Sequence, residues 1–311
     1  FSSDPLYAFS KSRHRSTVDY ILLKMTLTKP ESTEDLSALF QTKYKQGEKL
    51  GAGGCGSVFA GFRKADNVPV AIKHIPKDNV VCKHTVMGTS ASVSLLDWYD
   101  LDEELILVLE RPVPSKDLLN YTRDKGGALQ EEEAKVSLKI LVVEQMFLFH
   151  CGNSTCSGTN SKPMIFHRDI KVENILIESG SNVPGVRLID FGLSCFVKEG
   201  SFFRIFYGTS AHVPPEWYER CTYKAGPTTV WQLGVVLYDC LHKRAAFETN
   251  RFLGKRLRIS KRLSEDCQDF LRTCLTKAPE ERPTLEELKT GPGTDAGEVT
   301  AANIPKDSEY K

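Results

Sequence analysis

Residues 167–174 read HRDIKVEN, and the interpretation of the whole chain depends on this stretch. Two carboxylates and one amide, from Asp169, Glu173 and Asn174, stand here among three basic side chains. A solvated loop can have this composition by chance, but the same composition is also typical of the working centre of an enzyme. The motifs found elsewhere in the chain decide between these two interpretations.

The composition sets the first limits. The chain has 311 residues, a net charge of +1 and 41% hydrophobic residues, which is typical of a soluble globular protein with a substantial core. The near-neutral charge gives no general reason to expect nucleic-acid or membrane binding, and no apolar run approaches the roughly 18 residues of a membrane span. The nine cysteines are odd in number and scattered, so we expect reduced thiols and a location in the cytoplasm or the nucleus.

The residue pattern divides the chain into four parts. Residues 1–43, rich in Ser, Thr, Lys and Arg, are expected to form a flexible arm. Residues 44–112 contain short β-type runs around a glycine cluster and three further strand-like runs, which predict a small sheet-rich unit. After Pro112 the pattern is mainly helical as far as residue 290, with Ser264 at an N-cap position. Residues 291–311 have little apolar content, and we expect them to be disordered.

The glycine cluster is LGAGGCGSV, residues 50–58, in which Gly51, Gly53 and Gly56 have the spacing G-x-G-x-x-G. Glycine lets backbone N–H groups approach phosphate oxygens closely. Most glycine clusters are only turns, and a dinucleotide-binding fold would need a helix to follow, whereas SVFAGF is β-like. One strand later Val-Ala-Ile-Lys ends at Lys73, which is the arrangement that protein kinases use to hold the α- and β-phosphates of ATP.

Asp190 is the next candidate. It opens Asp-Phe-Gly sixteen residues after Asn174 and follows the apolar run VRLI. A carboxylate at the end of such a strand suits Mg²⁺, which prefers oxygen ligands together with substrate phosphates. Alone the tripeptide is usually a turn, but here it stands in order and spacing with the other motifs. The set predicts that Asp169 orients or deprotonates a hydroxyl, Lys171 neutralises a phosphoryl group, and Asn174 and Asp190 hold the metal.

Over residues 44–290 the chain resembles the eukaryotic protein kinases, and within them the Pim family of serine/threonine kinases. The stretches that carry the likeness are LERPVP (109–114), HRDIKVENILI (167–177), LIDFG (188–192), GTSAHVPPEW (208–217) and TTVWQLGVVLYD (228–239). The most specific point is Pro112, since the Pim hinge has a proline that removes one backbone donor to adenine. Thr229 stands where most kinases have an Asp before Val-Trp, and this departure is also Pim-like.

The resemblance implies an α+β, bilobal protein-kinase fold, with a small β-rich N-lobe at 44–112 and a larger helical C-lobe at 113–290. It implies a monomeric transferase that uses ATP and Mg²⁺ to phosphorylate Ser or Thr in protein substrates, and Lys171 favours these acceptors over Tyr. The ATP-binding residues that it implies are Leu50, Gly51, Ala52, Gly53, Gly54, Cys55, Gly56, Ser57, Val58, Ala71, Lys73, Glu110, Asp117 and Leu176.

The resemblance also bears on the protein substrate. Pim kinases prefer basic residues before the phosphoacceptor, held by carboxylates, and the matching positions here are Asp117, Glu173 and Asp239. Two departures stand beside them: Asn120 occupies the place of a second acid, and Lys243-Arg244 replaces an expected Gly-Asp pair. We therefore expect a weaker preference for basic peptides.

One part is missing. An active kinase pairs its strand lysine with a glutamate of the αC helix, but no Glu lies between Lys73 and Asp97, and the αC region is shorter than in the family. Two hypotheses remain: an ATP-dependent kinase, favoured by the other chemical residues, and a pseudokinase that acts as a scaffold, favoured by the αC gap.

The activation segment, residues 190–216, gives two more expectations. We expect Thr209 to support Asp169 rather than to serve as a phosphosite. We also expect Glu216 to be buried and paired with Arg282, because a buried carboxylate needs a partner.

Overall fold

The computed structural model describes residues 33–54, 56–79, 92–150, 164–179, 185–198, 200–243, 246–254 and 258–290. The helices and strands within these ranges are α1 (Thr33–Lys43), β1 (Tyr44–Gly53), β2 (Gly56–Arg63), β3 (Pro69–Pro76), β4 (Leu95–Asp100), β5 (Glu104–Glu110), β6 (Ser115–Asp117), α2 (Leu118–Asp124), α3 (Glu131–His150), β7 (Met164–Phe166), β8 (Ile175–Glu178), β9 (Gly185–Leu188), β10 (Cys195–Val197), α4 (Pro215–Arg220), α5 (Ala225–Leu241), α6 (Thr249–Gly254), α7 (Glu265–Cys274) and α8 (Leu285–Thr290). None of these helices is long and apolar enough to cross a bilayer.

The N-lobe is an antiparallel sheet of five strands in the order β1-β2-β3-β5-β4. Successive side chains of a strand point to opposite faces of the sheet. Accordingly Val70 and Ile72 of β3 belong to one hydrophobic cluster and Ile75 to another. Lys73 has the phase of Ile75, so it lies on the second face, and its side chain is almost entirely buried.

Helix α1 covers the first face of this sheet. Phe40 is buried against Tyr44 and Tyr99, with ring centroids 6.0 and 5.3 Å apart, and Leu36 and Leu39 pack against the same cluster. The expectation of a flexible arm over residues 1–43 is therefore wrong for residues 33–43, while residues 1–32 lie outside the described part of the chain. The stripe Leu36, Leu39, Phe40 has helical spacing, but it is too short among polar residues to stand out in the sequence.

The C-lobe is mainly helical. Helices α3 and α5 share one hydrophobic core, at whose centre Trp231 is completely buried. The predicted N-cap is confirmed, since the Ser264 hydroxyl accepts a hydrogen bond from the N–H of Cys267 at 3.2 Å. Strands β6, β8 and β9 form a small antiparallel sheet directly after the hinge.

The hinge, residues 109–114, joins the lobes, and in the described part of the chain the segment before β4 makes further contacts between them. There the Ser92 hydroxyl donates to the buried carboxylate of Glu144 on α3, and the N–H of Val93 donates to the carbonyl of Leu188 at 3.2 Å. The bilobal fold predicted from the sequence is confirmed. Residues 80–91, which hold the shortened αC region, lie outside the described residues.

Candidate active site

The carboxylate of Asp169 is held by donors on both of its oxygens. Oδ1 accepts from the backbone N–H of Thr209 at 2.9 Å and from the Thr209 hydroxyl at 2.6 Å. Oδ2 lies 2.9 Å from Nζ of Lys171 and accepts from Nδ2 of Asn174 at 3.2 Å. Hydrogen bonds to a carboxylate are strong because the acceptor is charged, so this side chain is fixed in one orientation.

The three partners of Asp169 also contact one another. Nζ of Lys171 donates to the Thr209 hydroxyl at 2.8 Å, and Nδ2 of Asn174 donates to the Asp169 carbonyl at 2.8 Å. The Thr209 hydroxyl thus accepts from Lys171 and donates to Asp169. The expectation that Thr209 supports Asp169 is confirmed by these contacts.

His167 connects the catalytic loop to Asp-Phe-Gly. Burial lowers the pKa of His167, so its ring is neutral at pH 7. Nε2 lies 3.1 Å from the carbonyl of Ile189 and Nδ1 accepts from the N–H of Asp169 at 3.3 Å, which places the ring proton on Nε2. The ring packs edge-on against Phe191 at 4.6 Å.

Helix α5 supports the same loop through a residue that the sequence analysis missed. Gln232 is 1% exposed; its Nε2 donates to the carbonyl of Arg168 at 2.6 Å, and its Oε1 accepts from the N–H of Ile170 at 3.5 Å. Thr229, which stands in place of the usual Asp, has a buried hydroxyl with no hydrogen-bond partner in the described part of the chain. The signal for Gln232 was a polar residue inside the apolar run VWQLGVVL, three residues after Thr229.

Lys73 and Asp190 form the second part of the site. Nζ of Lys73, a residue only 5% exposed, lies 2.5 Å from Oδ1 of Asp190, which also accepts from the N–H of Gly192 at 3.1 Å. Asp190 has a φ of +60°, an unfavourable backbone conformation for a residue with a side chain, so its surroundings must hold it there.

The ionisation state of Asp190 follows from these contacts. Burial by itself would raise the pKa of Asp190, but the charge and the hydrogen bond of Lys73 outweigh it and leave the pKa lowered. The carboxylate is therefore ionised at pH 7. Among the described residues, Asp190 is the only carboxylate that pairs with Lys73.

The glycine hairpin, formed by β1 and β2, lies beside the strand that carries Lys73 in the same sheet. Val58 of β2 pairs with Lys73 of β3. Gly56 has a φ of +139°, and a Cβ there would lie 2.0 Å from the carbonyl of His74, so only glycine fits. At Gly51, Gly53 and Gly54 a Cβ would meet nothing within 4 Å, which leaves open space at these positions. Cys55 lies outside the described residues.

Leu50 and Ala52 lie on β1 and Ser57 on β2, while the remaining residues expected at the nucleotide flank the hinge. Ala71 pairs with Leu109 across β3 and β5, and beyond the hinge Asp117 pairs with Leu176 across β6 and β8. The side chain of Glu110 has structural partners: Oε2 accepts from the N–H of Ser94 at 3.1 Å, and Oε1 lies 3.5 Å from Arg187. Its contribution to ATP binding stays a prediction, and with the side chain engaged in this way that prediction concerns its backbone.

The three expected substrate carboxylates have different surroundings. Asp117 caps α2: its Oδ1 accepts from the N–H of Asn120 at 2.8 Å and its Oδ2 from Nδ2 of Asn120 at 2.7 Å. Asp239 accepts from the N–H of Phe247 at 2.7 Å. Burial raises the pKa of Asp239 to about 6, and the charge of the exposed Glu173 contributes to the rise. Glu173 and Asp239 thus share one electrostatic environment, while both oxygens of Asp117 already have a partner.

The predicted pair of Glu216 and Arg282 is confirmed. The two groups meet through parallel hydrogen bonds of 3.0 and 2.6 Å, with side chains 2% and 0% exposed. The guanidinium also lies over the ring of Trp231 at 5.0 Å. The pair ties the end of the activation segment to the C-lobe core.

Comparisons with known proteins agree with this geometry. A family model described as "Protein kinase domain" matches residues 44–292. Serine/threonine-protein kinase pim-2 of Danio rerio is 32% identical over 298 residues, which cover 88% of this chain and 91% of that protein.

Two further relatives are longer proteins. Serine/threonine-protein kinase prk-2 of Caenorhabditis elegans is 30% identical over 89% of this chain, and sperm motility kinase 3A of Mus musculus is 30% identical over 82%. The chain spans 63% and 50% of their lengths, respectively. The chain therefore belongs to the protein kinase family, as a serine/threonine kinase.

Proposed function

We propose that the chain is a catalytically active, Pim-like, monomeric kinase that transfers the γ-phosphate of ATP to serine or threonine of protein substrates. The observation that carries the proposal is the arrangement of Asp169, whose carboxylate is held by Thr209, Lys171 and Asn174. Nucleotide-independent binding of a partner does not require a lysine and an amide to converge on one carboxylate. Phosphoryl transfer requires this convergence, because its catalysis consists mainly of positioning and electrostatic stabilisation.

Each residue has one task in this proposal. Asp169 accepts a hydrogen bond from the substrate hydroxyl and takes its proton as the phosphoryl group is transferred. Lys171, 2.9 Å from that carboxylate, neutralises charge on the phosphoryl group. Neutral His167 and the amide of Gln232 keep the loop backbone in place.

The residues also fit a magnesium ion. Asn174 uses its amide nitrogen on Asp169, so its remaining polar atom is an oxygen, and Asp190 is an ionised carboxylate. Oxygen ligands of this kind, together with nucleotide phosphates, are those that Mg²⁺ takes. When bound, the ion would neutralise the phosphate oxygens of ATP, with Asn174 and Asp190 as its protein ligands.

The active-kinase and scaffold hypotheses differ in what they require of Lys73. The scaffold hypothesis depends on the absence of a glutamate between Lys73 and Asp97. In the structure the ammonium group instead pairs with Asp190 on the cleft side of the sheet. We propose that this ion pair supplies enough positioning for Lys73 to meet the phosphates of ATP.

The contacts of the substrate carboxylates support a weaker preference for basic peptides. Asn120 occupies both oxygens of Asp117, and exposed Lys243 adds a positive charge four residues after Asp239. An arginine of the peptide would have to displace Asn120 from Asp117, and it would be repelled by Lys243 when it approaches Asp239. Glu173 and Asp239 remain as its acidic partners.

Steady-state turnover tests the proposal. The full chain should phosphorylate serine and threonine peptides with Mg-ATP but not the matched tyrosine peptide, and Asp169→Asn should abolish this activity. Equal rates for the two proteins would refute the catalytic assignment. Thermal unfolding with ATP, with and without Mg²⁺, separates the scaffold: a protein that ATP stabilises but that transfers no phosphate supports the pseudokinase hypothesis.

A further inference from the structure

We propose that Phe203 and Tyr207, the aromatic pair, hold the activation segment against Arg168 by cation–π contacts, and so position Asp169 with neither a phosphate nor a carboxylate on that segment. The inference rests on the proposed kinase function and adds a mode of regulation to it. It makes Phe203 and Tyr207 positioning residues of the active site.

The surroundings of Arg168 are the first observation. The residue is 9% exposed, and its guanidinium carbon lies 4.9 Å from the ring centroid of Phe203 and 5.0 Å from that of Tyr207. Its Nη1 donates to the carbonyl of Leu193 at 3.5 Å, while its buried Nε has no hydrogen-bond partner among the residues that the structure describes. A buried cation needs compensation, and within the described residues the two rings provide it.

The composition of the activation segment is the second observation. Between Asp190 and Glu216 the sequence contains one carboxylate, Glu199, which lies outside the described residues. The segment is instead rich in aromatic residues, namely Phe191, Phe196, Phe202, Phe203, Phe206 and Tyr207. The segment can therefore bind a cation through the faces of its aromatic rings.

Phe203 and the backbone that follows it are anchored by uncharged contacts. Phe203 and Tyr223 exchange backbone hydrogen bonds of 2.9 and 3.1 Å, and their rings lie 5.4 Å apart. The Tyr223 hydroxyl donates to the carbonyl of Ile205 at 2.9 Å. The ring of Phe203 also lies 5.6 Å from that of Phe166 in the strand before His167. This anchorage needs no modification of the segment.

The aromatic pair is connected directly to Asp169. Arg168 precedes Asp169, and Tyr207 lies two residues before Thr209, which donates twice to Asp169. Between them Gly208 has a φ of +140°, and a Cβ there would lie 2.7 Å from the Arg168 carbonyl, so the two backbones touch. Release of Tyr207 from Arg168 would therefore withdraw Thr209 from Asp169.

Single substitutions in the full chain test the proposal. Mass spectrometry first shows that each protein, including the wild type, is unphosphorylated. Phe203→Leu and Tyr207→Leu should each lower kcat by roughly tenfold or more, the loss expected for one buried cation–π contact, with little change in KM for ATP. Amide hydrogen exchange of residues 200–209 should increase in both. Tyr207→Phe keeps the ring and should retain both properties. Phe202→Leu is the matched control, because Phe202 is exposed and its ring faces Lys224 instead.

Glu199→Gln tests the alternative partner of Arg168 and should leave turnover and exchange unchanged. The proposal is overturned if Glu199→Gln impairs turnover as strongly as Phe203→Leu does, or if both leucine variants of the aromatic pair exchange and turn over like the wild type. Hydrogen exchange distinguishes this failure from that of the proposed function. If the wild type shows no turnover but residues 200–209 exchange faster in the two leucine variants than in the wild type, the kinase activity is refuted and the role of the aromatic pair in holding the activation segment is supported.

Discussion

Thr209→Val is the substitution whose effect follows most directly from the geometry. The change keeps the shape of the side chain and the backbone N–H, which donates to Asp169 at 2.9 Å. It removes the hydroxyl, which donates to Asp169 at 2.6 Å and accepts from Lys171 at 2.8 Å. Both partners are charged, so both hydrogen bonds are strong. Their loss frees Asp169 and Lys171, the two groups placed closest to the phosphoryl transfer.

The expected size follows from the strength of such bonds. A hydrogen bond to a charged group contributes about 1.5–3 kcal/mol, so the loss of the bond to Asp169 by itself corresponds to a fall in kcat of roughly 10- to 150-fold. Thr209→Ser keeps the hydroxyl and should stay within roughly threefold of the wild type. Thr209→Glu should be inactive, because it places a second carboxylate beside Asp169.

Initial rates of ADP formation with a serine peptide measure all three variants. The fall in Thr209→Val should appear in kcat rather than in KM for ATP, because Thr209 contacts Asp169 and not the glycine hairpin. Equal kcat values for Thr209→Val and Thr209→Ser would refute the role of the hydroxyl. Activation by Thr209→Glu would show that Thr209 is a phosphosite.

Three other perturbations test separate parts of the account. Arg282→Met should lower the free energy of unfolding by about 3–5 kcal/mol, since it leaves Glu216 buried without its partner. Arg272→Met is the control, because Arg272 forms an exposed ion pair with Asp269. Similar denaturation midpoints for the two variants would contradict the prediction. Gln232→Leu should lower kcat by roughly tenfold, because the Arg168 carbonyl loses its donor, and an unchanged kcat would show that the amide is dispensable. Burial raises the pKa of Asp239 to about 6 from an ordinary 3.8, so folding favours the protonated carboxyl. The contribution of Asp239 to the free energy of unfolding should therefore be highest below about pH 4 and should fall as the pH rises through 6, by about 3 kcal/mol at most. Asp239→Asn should remove this loss, and a difference from wild type that is the same at pH 4 and pH 7 would contradict it.

The sequence was sufficient for the parts of the site that lie in short contiguous motifs. The residues from His167 to Asn174 are fixed relative to one another by one loop, and Asp190 follows the strand that pairs with the end of that loop. Their proximity could therefore be predicted from the order and spacing of the motifs, while their roles stay predictions that the kinase resemblance implies. The bilobal fold followed from the same motifs because they occur in a fixed order across both lobes.

The parts that were missed depend on partners distant in the chain. Helix α1 is held by the aromatic ring of Tyr99 and its neighbours on the sheet, more than fifty residues away, and its own sequence is mostly polar. Gln232 contacts a loop backbone 62 to 64 residues earlier. Each leaves only a weak local pattern, a short apolar stripe in α1 and one polar residue in the apolar run of α5, and neither pattern identifies the distant partner.

The most direct test of the central claim is single-turnover transfer of the γ-phosphate from bound Mg-ATP to a serine peptide, measured for the wild type, Asp169→Asn and Lys73→Met. The proposed mechanism predicts transfer by the wild type and its loss in both variants, because Lys73, held by Asp190, and Asp169, held by Thr209, form a working centre without a glutamate between Lys73 and Asp97. A wild type that binds ATP yet transfers no more phosphate than Asp169→Asn would contradict it.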